Sequence, residues 1–178
     1  MIFLQYNNFK KSAVEEEKMV TINILCVGKI KEKFLRDAIE EYSKRLSKYC
    51  NLNILEVADS KVPNKVSEAL SKQIKNEEGT RMINALNKDT YLICLDLKGK
   101  EYTSPEFSEK ISKLTVEGNS NITFVIGGTL GIGDEILNLS KEKICFSKMT
   151  FPHQLIRVFL LEQIFRGFKI ANNETYHR

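Results

Sequence analysis

A glycine-rich segment late in the chain has the composition of a ligand-binding loop. Residues 127–133 read GGTLGIG and include four glycines, whose missing side chains let a backbone approach a bound molecule closely. The spacing is not G-x-G-x-x-G, which disfavours a dinucleotide-binding loop. It is not G-x-x-x-x-G-K-[ST] either, which excludes a nucleoside-triphosphate loop. A plain tight turn is the alternative interpretation.

A second segment, residues 146–151, offers side chains suited to a flat ring. Apolar and polar residues alternate here: Phe146, Ser147, Lys148, Met149, Thr150 and Phe151. Apolar side chains could cover a ring while backbone groups bind its edge, which is how many small-cofactor sites are lined. Ordinary core residues at the end of a strand would produce the same pattern, so this alternative stays open.

Groups that could transfer protons are few. The two histidines are His153, at a predicted helix start where the helix dipole disfavours a protonated ring, and His177, in the closing Tyr176-His177-Arg178. Such a tripeptide is usually a solvated tail. No carboxylate pair, Ser/His/Asp set or metal-ligand cluster stands out in the sequence.

The four cysteines do not indicate a metal site. None forms a C-x-x-C pair, and three lie in apolar, strand-like runs. Buried, reduced thiols are the favoured interpretation, and they imply a reducing, cytoplasmic environment. A disulfide between neighbouring strands is the alternative. The residues concerned are Cys26, Cys50, Cys94 and Cys145.

The elements that would position these residues alternate along the chain. Strands are predicted at 21–27, 52–57, 91–97, 122–126 and 144–146. Helices are predicted at 32–49, from Pro63 to about 86, from Ser104 to Gly118, at 134–139 and at 153–170. This alternation predicts a single-domain parallel α/β fold with helices on both faces. Ligands bind beyond the carboxyl ends of such strands, which here are Leu95, Gly127 and residues 146–151. A turn is expected at Lys98-Gly99-Lys100.

The last predicted helix is apolar around most of its circumference. A helix of this kind is buried on more than one side, so one side could face the sheet and another a second subunit. Its polar residues therefore need an explanation: Arg157, Glu162, Gln163, Arg166 and Lys169.

The amino-acid composition is typical of one globular domain, and the excess of basic residues lies in the segment 141–178. Of the 178 residues, 42% are hydrophobic, and no apolar run approaches the roughly 18 residues that span a membrane. Residues 141–178 hold seven basic and three acidic side chains, an excess equal to the whole net charge of +4, so a polyanionic partner is plausible there. Residues 1–18 are expected to be an extension, with the domain covering 19–178.

Four stretches together resemble a known family: INILCVGKIKEKF, FVIGGTLG, FSKMTFPHQLIRVFLLEQIFRGFKI and the closing YHR. Across about residues 19–178 the chain resembles the small SPOUT-class methyltransferases that methylate N3 of a pseudouridine in 23S ribosomal RNA. The resemblance implies an α/β fold with a C-terminal trefoil knot, an obligate homodimer and S-adenosylmethionine as methyl donor. It implies no metal and no membrane.

The resemblance also implies residue roles. The donor would contact Leu95, Gly127, Phe146, Ser147, Lys148, Met149, Thr150 and Phe151. Within the glycine loop, Thr129-Leu130 and Ile132-Gly133 depart from the family pattern. The resemblance therefore assigns a donor contact to Gly127, and leaves a contact at Gly131 open.

The chemistry implied is alignment of an activated methyl group with a base nitrogen that must lose its proton. His153, Tyr176 and His177 are candidate acceptors, and Arg178 could hold a phosphate or a developing enolate-like oxygen. The tail of one subunit could complete the site of the other, on the assembled ribosome. Two alternatives remain: a related knotted enzyme acting on another RNA such as tRNA, and a non-enzymatic ribosome-associated factor.

Overall fold

The computed structural model describes residues 19–176, so the expected extension at 1–18 and the last two residues lie outside the described part. Within it, strands and helices alternate as the sequence predicts. The elements are β1 (Thr21–Val27), α1 (Lys33–Leu46), β2 (Asn51–Val57), α2 (Glu68–Ala85), β3 (Tyr91–Glu101), α3 (Ser104–Val116), β4 (Asn121–Ile126), α4 (Asp134–Leu139), β5 (Glu142–Cys145) and α5 (His153–Ala171).

The strands form one sheet in the order β2-β1-β4-β3-β5, and every neighbouring pair is parallel. Successive side chains of a strand point to opposite faces. In β1, Ile24 packs with Leu46 of α1 and Leu160 of α5, whereas Leu25 packs with Met82 of α2 on the other face. The predicted parallel α/β sheet with helices on both faces is confirmed.

One predicted helix start is wrong. The second helix begins at Glu68, not at Pro63, because the hydroxyl of Ser67 accepts a hydrogen bond from the Leu70 N–H at 3.2 Å and caps the helix there. Helix α3 begins at Ser104 as predicted, and its capping residue Thr103 forms a reciprocal capping box with Glu106.

The turn expected at Lys98-Gly99-Lys100 is also wrong, because β3 continues to Glu101. Its register with β5 shifts: Ile144 pairs with both Leu95 and Lys100, so residues 96–99 project from the ladder. A Cβ on Gly99 would lie 2.5 Å from the carbonyl carbon of Ile144. Only glycine allows β3 and β5 to approach this closely.

Helix α5 is buried on one side and exposes apolar side chains on another. Leu160, Leu161 and Ile164 are buried in the core that covers one face of the sheet. Phe159 and Ile170 remain 38% and 37% exposed. The helix is therefore apolar on a side that this chain alone does not cover, as its sequence predicts.

Arg157 anchors the first half of α5 to the edge of the sheet. Its side chain is 1% exposed, and its Nη1 lies 2.8 Å from the carboxylate of Glu56 at the end of β2. Its Nη2 donates to the carbonyl oxygens of Val27 and Gly28, at 2.7 and 2.8 Å. A buried cation is stable only when it is paired and hydrogen-bonded. These bonds therefore fix where α5 lies relative to β1 and β2.

Other sequence expectations concern the thiols, metals and membranes. The four cysteines are free and buried, and burial raises the pKa of Cys26 to about 12, so this thiol acts as a small apolar side chain. Among residues 19–176, no group of His, Cys, Asp and Glu side chains could hold a metal ion. No helix in the same range is long and apolar enough to cross a membrane.

Replacing Arg157 with methionine should destabilise the protein by about 3 kcal/mol, because Glu56 and two buried carbonyl groups would lose their donor. Urea denaturation followed by circular dichroism measures the change. Lys44→Met is the control, because Lys44 forms an exposed pair with Glu40, and its denaturation midpoint should not move. Equal midpoints for both variants would contradict the anchoring role of Arg157.

Candidate cofactor site

The three predicted strand ends converge on one cavity of about 490 Å³. It lies at the carboxyl ends of β4 and β5, where parallel sheets bind ligands, and beside the part of β3 where the register with β5 shifts. Its walls include Leu95, Gly127, Phe146, Ser147, Met149, Thr150 and Phe151. Of the residues expected to contact a cofactor, only Lys148 is not part of the lining, and its side chain is exposed.

The glycine loop is folded back on itself at the floor of this cavity. The Gly131 N–H donates to the carbonyl oxygen of Gly128 at 3.0 Å, and Gly131 has φ +92°, a left-handed value that favours glycine. A Cβ on Gly127 would lie 2.6 Å from the carbonyl carbon of Gly131. Glycine at these positions is therefore required by the turn itself, and backbone lines this part of the cavity.

Glu78 of α2 supports the loop from the opposite side. Its Oε1 accepts a hydrogen bond from the Ser60 N–H at 2.9 Å, whereas its buried Oε2 has no hydrogen-bond partner among the described residues. A Cβ on Gly128 would lie 2.8 Å from that Oε2. Burial raises the pKa of Glu78, because the charged form of the carboxyl group is separated from water.

The segment after β5 is held by local hydrogen bonds. The hydroxyl of Ser147 accepts from the Met149 N–H at 3.0 Å, and the Cys145 thiol donates to the Ser147 carbonyl oxygen at 3.0 Å. Phe151 packs edge-on against Phe159 of α5, with ring centres 5.4 Å apart. Met149 is 71% exposed and is therefore available to a molecule entering the cavity.

Four of the described side chains that line the cavity carry titratable groups: Asp96, Lys98, Cys145 and His153. One Asp96 carboxylate oxygen accepts from the Lys98 N–H at 2.7 Å. His153 lies at the start of α5, and burial, reinforced by the nearby charge of Arg157, lowers the pKa of its imidazole. Its ring is therefore neutral at pH 7 and able to accept a proton.

Tyr176 lies away from this cavity and contacts Glu162 of α5. Its hydroxyl donates to the Glu162 carboxylate at 2.8 Å. Glu162 lines a second cavity of about 370 Å³, which shares Ile144, Phe146 and Phe151 with the first. The predicted catalytic residues His177 and Arg178 lie outside the described residues.

Sequence reasoning did not assign Asp96 or Glu162 to a site. Asp96 is a carboxylate near the carboxyl end of the predicted strand 91–97, where parallel sheets bind ligands. Glu162 is a charged residue on an apolar helix, four positions before Arg166, and this spacing indicates a helical ion pair. The sequence therefore contained a signal for each residue, but not the identity of its distant contacts.

Comparison with known proteins places the chain in a family. The family model described as "Predicted SPOUT methyltransferase" matches residues 20–177. A protein of Clostridium tetani named "Ribosomal RNA large subunit methyltransferase H" is 54% identical over 159 residues, which cover 89% of this chain and 100% of the relative. Relatives with the same name from Clostridium kluyveri and Clostridium acetobutylicum are 54% and 52% identical over the same shares.

Two solved structures are also similar. One is a probable methylase family protein of Haemophilus influenzae Rd KW20, with 14% identity and a TM-score of 0.49 over 88% of this chain and 70% of that one. The other is a putative methylase family protein of Neisseria gonorrhoeae, with 13% identity and a TM-score of 0.49 over 95% and 91%. The match of the family model to nearly the whole described chain and the full-length relatives above half identity show that the chain belongs to the SPOUT methyltransferase family.

Proposed function

We propose that the chain is an S-adenosylmethionine-dependent enzyme that methylates N3 of a pseudouridine in 23S ribosomal RNA. The substrate class rests on relatives whose printed name is ribosomal RNA large subunit methyltransferase H and which align with this chain over their full length. The observation that carries the cofactor is the convergence of three strand ends on one cavity. A ribosomal substrate would place the reaction in the cytoplasm.

The residues of the cavity fit S-adenosylmethionine. Its volume of about 490 Å³ lies within the roughly 300–1,000 Å³ of small-molecule sites. Leu95, Phe146 and Ile156 supply apolar surface for an adenine ring, and the glycine loop and residues 146–151 supply backbone groups for its edge and the ribose. Asp96 supplies a negative charge for a cationic ligand. The bound sulfonium group supplies a methyl that is already activated for transfer.

The chain itself must then align the base and remove its N3 proton. The neutral imidazole of His153 at the cavity wall is suited to accept that proton. The Tyr176 hydroxyl already donates its hydrogen to Glu162, which favours an orienting role over proton acceptance. His177 remains a candidate acceptor, and Arg178 a candidate partner for a phosphate or an enolate-like oxygen.

We also propose that two copies of the chain pair through α5. Phe159 and Ile170 of this helix, together with Phe151, leave apolar surface exposed on the single chain, which is typical of an interaction face. Such a dimer would bring the tail of one subunit near the cavity of the other. The trefoil knot implied by the family resemblance stays a prediction.

The methylation itself can be tested in a strain that lacks the gene. Its 23S RNA should contain an unmethylated pseudouridine that the purified protein and S-adenosylmethionine convert to the N3-methyl form on ribosomal particles, as mapped by nucleoside mass spectrometry. A naked hairpin should react poorly, because the net charge of +4 gives little attraction to RNA alone. Methylation of tRNA instead, or efficient methylation of the hairpin, would contradict the proposal.

Gly127→Ala should weaken donor binding at least about tenfold, or ~1.4 kcal/mol, because the new Cβ would force Gly131 and the loop to move. Isothermal titration calorimetry with S-adenosylmethionine measures the effect. Gly79→Ala is the matched control, because a Cβ there meets no atom within 4 Å. It should leave affinity unchanged and raise stability by about 0.5–1 kcal/mol. Equal affinities of the two variants for S-adenosylmethionine would show that it does not bind at the glycine loop.

The rate of methyl transfer should depend on pH through His153. Burial lowers the pKa of the imidazole from its ordinary 6.5, so the neutral form that accepts a proton predominates above that pH. The rate should stay constant from about pH 7 to 8 and fall only as the pH drops below 6.5. Single-turnover measurements give this profile. His153→Gln should lower the rate and remove the decline, and an unchanged acidic decline in this variant would exclude His153 as the acceptor.

A further inference from the structure

We propose that Glu162 is a positioning residue that holds Tyr176 in the orientation that methyl transfer requires. The inference rests on the proposed function, because it assigns a role to a residue that does not itself line the donor cavity. It is drawn from the contacts that converge on the Glu162 carboxylate.

Hydrogen-bond donors from three parts of the chain meet at this carboxylate. Tyr42 of α1 donates its hydroxyl to Oε2 at 2.7 Å. Arg166 of α5 donates Nη2 and Nε to Oε1 at 2.7 and 3.1 Å. Tyr176 donates from the segment after α5, at 2.8 Å from both oxygens. One side chain therefore joins α1, α5 and the segment that carries the predicted catalytic residues.

The ring of Tyr176 is fixed as well as its hydroxyl. The Arg166 guanidinium lies over the ring, 4.3 Å from its centre, and Phe165 packs edge-on with ring centres 5.5 Å apart. Residues this close to a chain end usually fray unless contacts hold them. Held at the ring and at the hydroxyl, Tyr176 has little freedom of orientation.

The hydrogen-bond donors and charges around Glu162 determine the direction in which its pKa shifts. Burial alone would raise the pKa of Glu162, but the hydrogen bonds from Tyr42, Tyr176 and Arg166 hold it below its ordinary value. Burial and the bond to Glu162 raise the pKa of Tyr176. Arg45 of α1 is the other charged group that faces this cluster, with its guanidinium 5.5 Å from the centre of the Tyr42 ring. At neutral pH a neutral phenol thus donates to an ionised carboxylate.

The cluster lies beside the donor cavity. Glu162 lines the second cavity, whose wall of Ile144, Phe146 and Phe151 is also a wall of the first. Glu162 therefore connects Tyr176 to a cavity that adjoins the proposed donor site. Misplacement by about 1 Å is enough to slow a reaction by about 100-fold.

The contact can be measured without activity. In protein labelled with ¹³C at tyrosine Cζ, the Tyr176 resonance, assigned by its absence from Tyr176→Phe, should titrate above the ordinary pKa of 10.0. In Glu162→Gln the same resonance should titrate at lower pH, because the ionised acceptor is gone. An unchanged titration in Glu162→Gln would overturn the proposal.

Activity on ribosomal particles supplies the second readout. Glu162→Gln should lower kcat by about 10- to 100-fold and leave the KM for S-adenosylmethionine unchanged. Tyr176→Phe removes the same hydrogen bond from the other side and keeps Glu162 paired with Tyr42 and Arg166. The double variant should be no slower than the slower single variant, because both substitutions break one contact. Glu40→Gln, which loses an exposed pair with Lys44, is the control and should be as active as the unchanged protein.

Different experimental results would refute the positioning role of Glu162 and the proposed function. If the unchanged protein transfers methyl groups and Glu162→Gln matches its kcat, or if the two substitutions multiply in the double variant, the positioning role is refuted and the proposed function stands. If the unchanged protein transfers no methyl group to ribosomal RNA, the proposed function fails and the positioning role fails with it. Should Glu162→Gln not fold, Tyr176→Phe alone decides, because a wild-type kcat in that variant would refute the role.

Discussion

The buried guanidinium of Arg157 is the interaction on which the site depends. It lies 1% exposed between α5 and the ends of β1 and β2, where it is bound by Glu56 and two backbone carbonyl groups. A cation buried this deeply is stable only with all of these partners, so it permits one placement of α5 on the sheet. That placement sets His153, four residues earlier on the same helix, at the wall of the cavity.

Close backbone approaches set the shape of the cavity itself. Gly99 lets the projecting part of β3 lie against Ile144 of β5, and Gly127 lets the glycine loop fold against Gly131. At both places a single methyl group would meet backbone atoms at less than 3 Å, and backbone cannot yield as a flexible side chain can. The glycine loop thus contributes main chain to a cavity that is otherwise lined by apolar side chains such as Leu95 and Phe146, which suits a ligand recognised by its edges and flat faces.

Helix α5 contributes to the core, to an exposed apolar surface and to two long-range polar contacts. One side packs into the core through Leu160 and Ile164, and another exposes Phe159. Two of its polar residues make long-range contacts: Arg157 in the first half of the helix fixes it to the sheet, and Glu162 near the middle binds the segment that follows the helix. The helix therefore relates the core, the donor cavity and the end of the chain to one another.

The sequence by itself determined the order of the elements, the parallel sheet, the strand ends that line the cavity and the family. These follow from local patterns, because apolar periodicity, glycine loops and capping residues act over a few neighbouring positions. Only the tertiary structure decided that β3 continues through Lys98-Gly99-Lys100, since that path depends on pairing with Ile144 more than 40 residues later. The partners of Arg157 and Glu162 were likewise decided by the fold, because Glu56 and Tyr42 lie 101 and 120 residues away in the chain, and no local pattern specifies such pairs.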